Sequence, residues 1–156
     1  MDGYWGDEAA TADAVVDGWM RTGDLVTIDD DGYCAVVGRK KDIIIRGGEN
    51  IAPREVEDAL FRHVDVEEAS VVPVPDAKYG ELPCACVRLR AGAEPTDALA
   101  LALRDFCKEK LAHFKVPAYV RFVESFPLTA SGKIQKYKLA DESRDALGLG
   151  LGACGG

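Results

Sequence analysis

The stretch that most constrains the fold is short. Asp29-Asp30-Asp31-Gly32 lies between two apolar runs, Leu25–Ile28 and Tyr33–Val37. Asp-Gly at the centre of a turn tolerates the positive φ that a tight hairpin needs, so the segment predicts two antiparallel strands over 25–37. With Asp31-Gly32 as a two-residue turn, Ile28 faces Ala35 and Val26 faces Val37. One step further out on the same face, Asp24 meets Arg39. The turn chemistry alone therefore predicts an acid and a base side by side at the open end of the hairpin.

The rest of the chain arranges itself around that hairpin. Gly6–Asp17 is small and acidic; Asp7 is placed to cap a short helix carrying Ala10, Ala14 and Val15, and Gly18 to end it. Gly38-Arg39-Lys40-Lys41-Asp42 is a charged break and the expected boundary between residues 1–40 and 41–147. Beyond it, Ile43–Ile45 reads as a strand and Gly47-Gly48 as a turn. Pro53 opens a helix whose buried stripe is Val56, Ala59 and Leu60 and which ends near His63. Ala69–Val74 and Cys84–Leu89 read as strands separated by a loop, Pro75–Pro83. Thr96 caps a helix with Leu99, Leu103, Phe106, Cys107 and Leu111 on one face. A short strand over Tyr119–Val123, a polar loop over Pro127–Gly132 and a helix over Lys138–Leu147 follow. This order predicts an α+β fold: a small sheet with helices packed on it, preceded by the hairpin. The Gly-rich tail, 148–156, has too little side chain to pack and is expected to be disordered.

Composition excludes several functions. Asp and Glu total 27 against 19 Lys and Arg, a net charge of −8, which argues against a nucleic-acid binder. No apolar run approaches the ~20 residues of a membrane span. The first residues lack the basic and apolar stretches of a signal peptide, and the five cysteines form no CxxC. Both features predict a reduced, cytoplasmic protein. His63 and His113 lie far apart, so no metal site is expected. Cys84 and Cys86 are two apart on a strand and should share a buried face. Gly150-x-Gly152-x-x-Gly155 matches a dinucleotide fingerprint in a segment with no preceding strand, and is set aside. Ser131-Gly132-Lys133 is not a phosphate-binding P-loop, because Pro127 stands where that motif needs glycine and Ile134 where it needs Ser or Thr.

Lys133 therefore needs another explanation, and three segments taken together supply one. They are Arg21-Thr22-Gly23-Asp24; Gly38-Arg39-Lys40-Lys41-Asp42, running on through IIIRGGENIAPREVE; and Pro127-Leu128-Thr129-Ala130-Ser131-Gly132-Lys133-Ile134. In this order and spacing they resemble the C-terminal part of the adenylate-forming enzymes, which include acyl-CoA synthetases, luciferase-like proteins and peptide-synthetase adenylation domains. The resemblance spans about residues 3–143. It implies two half-reactions: a carboxylic acid attacks the α-phosphate of ATP, held with Mg2+, and a thiol, usually that of coenzyme A, then attacks the acyl-adenylate. Between them the small C-terminal domain rotates. Residues 1–40 would be the tail end of the large N-terminal domain and 41–147 the mobile domain.

The resemblance implies a role for each matching residue. Asp24 accepts hydrogen bonds from the ATP ribose and Arg39 contacts the same sugar; an ordinary exposed ion pair is the bland alternative. Lys41 is the hinge, where a solvated side chain can follow a large backbone rotation. Gly47 and Gly48 line the tunnel for the pantetheine arm, and can at the same time make a hairpin turn that needs positive φ. Lys133 bridges the acyl carboxylate and the α-phosphate from a mobile loop, its ammonium offsetting charge on both. Phe114 either stacks on the CoA adenine or belongs to the core; the neutral Val116 and Ala118 stand where some relatives carry phosphate-binding basic residues. Arg39, Lys40, Lys41, Arg46, Lys133 and Lys136 gather in segments expected to meet phosphates.

The wording is most similar to ligases for medium-chain or cyclic carboxylic acids. The reading is thus the C-terminal segment of an ATP-dependent acid–CoA ligase, inactive alone and completed by a missing N-terminal domain. A non-catalytic CoA- or partner-binding module and a peptide-synthetase fragment are the alternatives.

Overall fold

The computed structural model describes residues 3–149. The dinucleotide-like glycines of the tail lie outside that range. The chain divides into two compact units, one reaching Lys41 and the other starting at Asp42.

In the first unit, helix α1 (Glu8–Ala14) is capped as expected: the Asp7 carboxylate accepts from the Ala10 amide at 2.8 Å. The helix does not run on to Gly18. The β-branched pair Val15–Val16 forms β1, which pairs with β2 (Trp19–Met20). Asp17 and Gly18 connect them with φ of 52° and 80°. Two successive positive φ values define the mirror-image turn of a two-residue hairpin, so the supposed helix stop is a second hairpin.

The expected hairpin is present as β3 (Asp24–Ile28) and β4 (Cys34–Arg39), with a different turn. The Gly32 amide donates to the Asp29 carbonyl at 3.0 Å and the Asp29 amide to the Tyr33 carbonyl at 3.1 Å. Gly32 has a φ of 85°. This is a three-residue loop, a turn followed by a left-handed glycine, and the Asp29 carboxylate ties it by accepting from the Asp31 and Tyr33 amides. The inner register shifts by one: Ile28 pairs with Cys34 and Val26 with Val36. A bulge at Val37 then restores the outer register, and Asp24 faces Arg39 as expected.

The second unit carries the core. Strand β5 (Ile44–Arg46) turns through Gly47-Gly48 into β6 (Glu49–Ile51), a strand the sequence reading passed over. Helix α2 (Pro53–Leu60) buries Val56, Ala59 and Leu60. The expected loop at 75–83 is mostly strand: β7 (Val66–Asp76) and β8 (Gly80–Leu89) form one long ladder in which Pro73 opposes Pro83. The Pro83 carbonyl points away from β7, to the Ala118 amide at 2.9 Å. The two prolines thus oppose each other where neither amide would serve that ladder, and the strands tolerate them.

Helix α3 (Asp97–Lys108), capped by Thr96 at the Leu99 amide, returns the chain to β9 (Tyr119–Phe122), which runs parallel to β8. The strand order is β6-β5-β8-β7, with β9 also on β8. Alternation along β7 and β8 makes two cores. Val71, Ala85 and Val87 pack with residues of α2 and α3; Val72, Val74, Cys84 and Cys86 pack with Leu139 of helix α4 (Lys136–Ala146). Gly148 and Leu149, assigned to the tail, instead close α4. The Leu149 amide donates to the Arg144 carbonyl and that of Gly148 to Asp145, with Gly148 at a φ of 65°. The fold is α+β, a small mixed sheet with helices packed on it after separate hairpins.

Candidate functional site

Asp24 and Arg39 meet through the strand register. Arg39 Nε donates to Asp24 Oδ1 at 3.0 Å, and the aspartate is the less exposed partner. The RTGD turn sets Asp24 in place: the Asp24 amide donates to Thr22 Oγ1 at 3.2 Å and the Gly23 carbonyl accepts from Lys40 at 2.8 Å. Lys41 is exposed in a single 3-10 turn, Lys40–Asp42.

Gly47 and Gly48 have φ of 58° and 92°, again the mirror-image hairpin turn. A Cβ on Gly47 would come within 3.1 Å of the Tyr79 ring, whereas one on Gly48 would meet nothing within 4 Å. Both positive φ values favour glycine; a side chain at Gly47 would in addition crowd the Tyr79 ring, while Gly48 borders open space. The Gly47 amide donates to the Tyr79 carbonyl at 2.8 Å, and the Arg46 guanidinium lies 4.6 Å from the Tyr79 ring centroid. Arg46 Nη1 also reaches the Phe114 carbonyl at 3.5 Å. Arg46 thus joins the glycine turn to the Phe114 segment. The Phe114 ring is half-buried against the α2–α3 core, in line with the packing alternative. Lys115 is held by Glu55 at 2.7 Å.

Lys133 is exposed at the end of a hydrogen-bonded loop. The Thr129 amide donates to the Lys133 carbonyl at 2.8 Å, the Gly132 amide to the Thr129 carbonyl at 2.9 Å, and the Lys133 amide to Thr129 Oγ1 at 3.1 Å. Gly132 has a φ of 79°. This repeats the loop at 29–33, with Thr129 in the place of Asp29. Among the described residues, the Lys133 ammonium has no ion-pair partner. Lys136, grouped with it by sequence, is different. Its Nζ lies 2.8 Å from Glu57 Oε1, so that charge is matched within the unit. The Glu57–Lys136 pair and Tyr79 escaped the sequence reading, because contacts between distant segments leave no local pattern.

Cys84 and Cys86 are buried on one face, with Cys86 Sγ 3.2 Å from Ser143 Oγ. The adjoining Cys86 and burial push the Cys84 thiol up, as expected of packing residues. No three His, Cys, Asp or Glu side chains gather as a cation site among the described residues. Nor is any described helix long and apolar enough to cross a membrane.

Known proteins match this arrangement. The model of the AMP-binding enzyme C-terminal domain matches residues 55–133, and the chain belongs to that family. It is 50% identical to the mitochondrial medium-chain acyl-CoA ligase ACSF2 of Rattus norvegicus over 150 residues, 96% of this chain and 24% of that protein. Identity to the putative acyl-CoA synthetase YngI of Bacillus subtilis is 48%, over 96% of this chain and 27% of that one. Among solved structures, o-succinylbenzoate CoA synthetase of Bacillus subtilis, in complex with its acyl-adenylate intermediate, superposes with a TM-score of 0.80 at 40% identity. That match covers 89% of this chain and 28% of the synthetase. The chain thus spans about a quarter of the length of these relatives.

These relatives correct the expected location. The rat protein and its mouse and human counterparts are mitochondrial by name, against the cytoplasmic expectation. That expectation leaned on the first residues, and a chain matching a quarter of its relatives carries no information there about a leader.

Proposed function

We propose that residues 1–156 are the C-terminal part of an ATP-dependent acid–CoA ligase acting on fatty or cyclic carboxylic acids, and that they are inactive alone. In this reading residues 1–40 complete the large domain that precedes them and 41–147 form the mobile domain, with Lys41 as the hinge. Asp24 and Arg39 would hold the ATP ribose. Lys133 would bridge the acid and the α-phosphate while a carboxylate oxygen attacks phosphorus and pyrophosphate leaves. The ATP phosphates, with their Mg2+, would be held by the preceding domain. The thiol of CoA would then reach the adenylate carbonyl past Gly47 and Gly48, displacing AMP, and any adenine stacking would use the solvent side of Phe114.

The observation that carries this reading is Lys133. It is an exposed ammonium, free of any described ion pair, presented by a hydrogen-bonded turn within a chain 50% identical to a medium-chain acyl-CoA ligase. An ammonium so placed can offset two converging anions, which a lysine already paired could not. The open space beside Gly48 supports passage of a thin arm.

The test joins residues 1–156 behind the remainder of the rat ligase and measures acid-dependent ATP–pyrophosphate exchange with octanoate, benzoate and a cyclic acid. Exchange by the chimera and none by the isolated chain is expected. A silent chimera, or exchange by residues 1–156 alone, would overturn the reading.

A further inference from the structure

Among the described residues, Glu57 is the one buried acidic side chain, at 8% exposed. It projects from α2, and its Oε1 accepts from the Val71 amide of β7 at 2.8 Å and from Lys136 Nζ at 2.8 Å. Lys136 Nζ also reaches the Val71 carbonyl at 3.5 Å. One carboxylate thus joins a helix, a strand and the first residue of α4.

A buried ion pair is a weak source of stability, because desolvating both charges offsets their attraction. Its position is also unfavourable for α4 considered alone. A lysine at a helix start opposes the helix dipole, the first turn carries no acid, and Gln135 offers no side-chain cap. What the pair does supply is location. Lys136 is three residues after Lys133, a span of at most ~10 Å of extended chain. The intervening chain is clamped as well: the Gln135 amide donates to the Pro127 carbonyl at 2.8 Å, and Gln135 Nε2 to the Leu128 carbonyl at 2.7 Å. The Lys133 loop is therefore closed at its base, and the base is bolted to the α2–β7 core through Glu57.

We propose that Glu57 and Lys136 are a positioning pair that holds the Lys133 loop for adenylate formation and serves no purpose in the thioester step. The role in catalysis rests on the ligase reading above; the anchoring itself does not.

Two measurements separate these. In residues 1–156, amide hydrogen exchange by NMR is compared for the parent chain, Glu57→Gln, Lys136→Met and Lys136→Arg. Glu57→Gln keeps an acceptor for Val71, and Lys136→Met leaves Glu57 that same hydrogen bond. Both should speed exchange at Gly132, Lys133 and Gln135 while leaving β8 amides unchanged, and Lys136→Arg should behave as the parent. In the chimera, Glu57→Gln and Lys136→Met should slow acid-dependent pyrophosphate exchange about 10- to 100-fold, the scale of a misplaced catalytic group. CoA thioester formation from supplied octanoyl-adenylate should stay within about twofold, and Lys136→Arg should restore the first step. Unchanged loop amides overturn the anchoring. Faster loop exchange with equal losses in both half-reactions overturns the positioning role. A parent chimera without pyrophosphate exchange overturns the ligase reading and with it the catalytic role, whatever the amides do.

Discussion

The two units make opposite use of their apolar residues. From Asp42 onward, alternation along β7 and β8 supplies two faces, and α2, α3 and α4 cover them; Ile44, Leu60, Val71, Leu103 and Leu139 are fully enclosed. Before that point no described residue is buried, and Trp5, Trp19, Ile28, Tyr33 and Val36 are exposed. Both units have good local structure: caps, hairpin turns, paired strands. The difference shows that local signals and a core are separate requirements. Two-stranded ribbons are marginal without something to pack on. Exposed apolar side chains in a unit without a core are free to pack against something else, a role that the proposed ligase would give to the domain preceding these residues.

The contrast can be tested at several magnitudes. The largest effect belongs to chemistry carried by the second unit. Lys133→Ala in the chimera should slow adenylate formation ~10²–10³-fold, the scale of losing one preorganised charge donor, and spare thioester formation from supplied adenylate. Equal loss in both steps would break the assignment. Next comes packing. Leu103→Ala should destabilise the second unit by about 2–5 kcal/mol in urea unfolding, whereas Ile28→Ala or Val36→Ala should move stability by less than about 0.5 kcal/mol. Limited proteolysis should cut before Lys41 while Ala69–Leu89 remains intact; first cuts in that ladder would reverse the ranking of the units.

Thiol labelling draws the same line more finely. With Cys154→Ser removing the tail cysteine, Cys34 should react at once in the folded chain, and Cys84, Cys86 and Cys107 only on unfolding. Burial raises the Cys107 thiol from 9.0 to about 11. A raised pKa adds stability that is complete below the unfolded value and lost as pH climbs through the folded one. The second unit should therefore weaken between about pH 9 and 11, and Cys107→Ala should flatten that slope. The smallest effect is expected at Asp24. Asp24→Asn should change stability by less than about 1 kcal/mol, since the pair with Arg39 is solvated, yet raise the ATP concentration the chimera requires.

Much of this was legible in the sequence because its causes are local. Asp7, Pro53 and Thr96 announce helix starts through the amides they satisfy or, for proline, do not need. Val56, Ala59 and Leu60 lie on one stripe because a helix repeats every 3.6 residues. Misreadings came where distant partners decide. Pro75 and Pro83 looked like loop residues; only the register, which sets Pro73 against Pro83, makes them harmless. Gly18 looked like a helix stop, although Val15 and Val16 already favoured a strand. At the candidate site, Lys133 could be read from its motif, while the expected pairing of Asp24 with Arg39 came out right only because the bulge at Val37 offsets the longer turn. Glu57 could not be linked to Lys136, because the contact spans α2, β7 and α4. The hydrogen bond that Thr129 Oγ1 accepts within the TASG stretch was not legible either, because composition does not reveal where an acceptor will lie.

The hairpin also explains how a partly wrong register delivers the right pair. The three-residue loop displaces the inner pairs, and Val37, the residue without a cross-strand partner, absorbs the displacement before Asp24 and Arg39 are reached. For sequence alignment, position 37 is therefore where a one-residue gap is cheap. A relative lacking it keeps every strand partner from Asp24–Arg39 inward, with the bulge simply gone. A relative one residue shorter inside 30–32 must rebuild its turn. Related chains should thus differ in length on the β4 side of this hairpin more readily than at its tip.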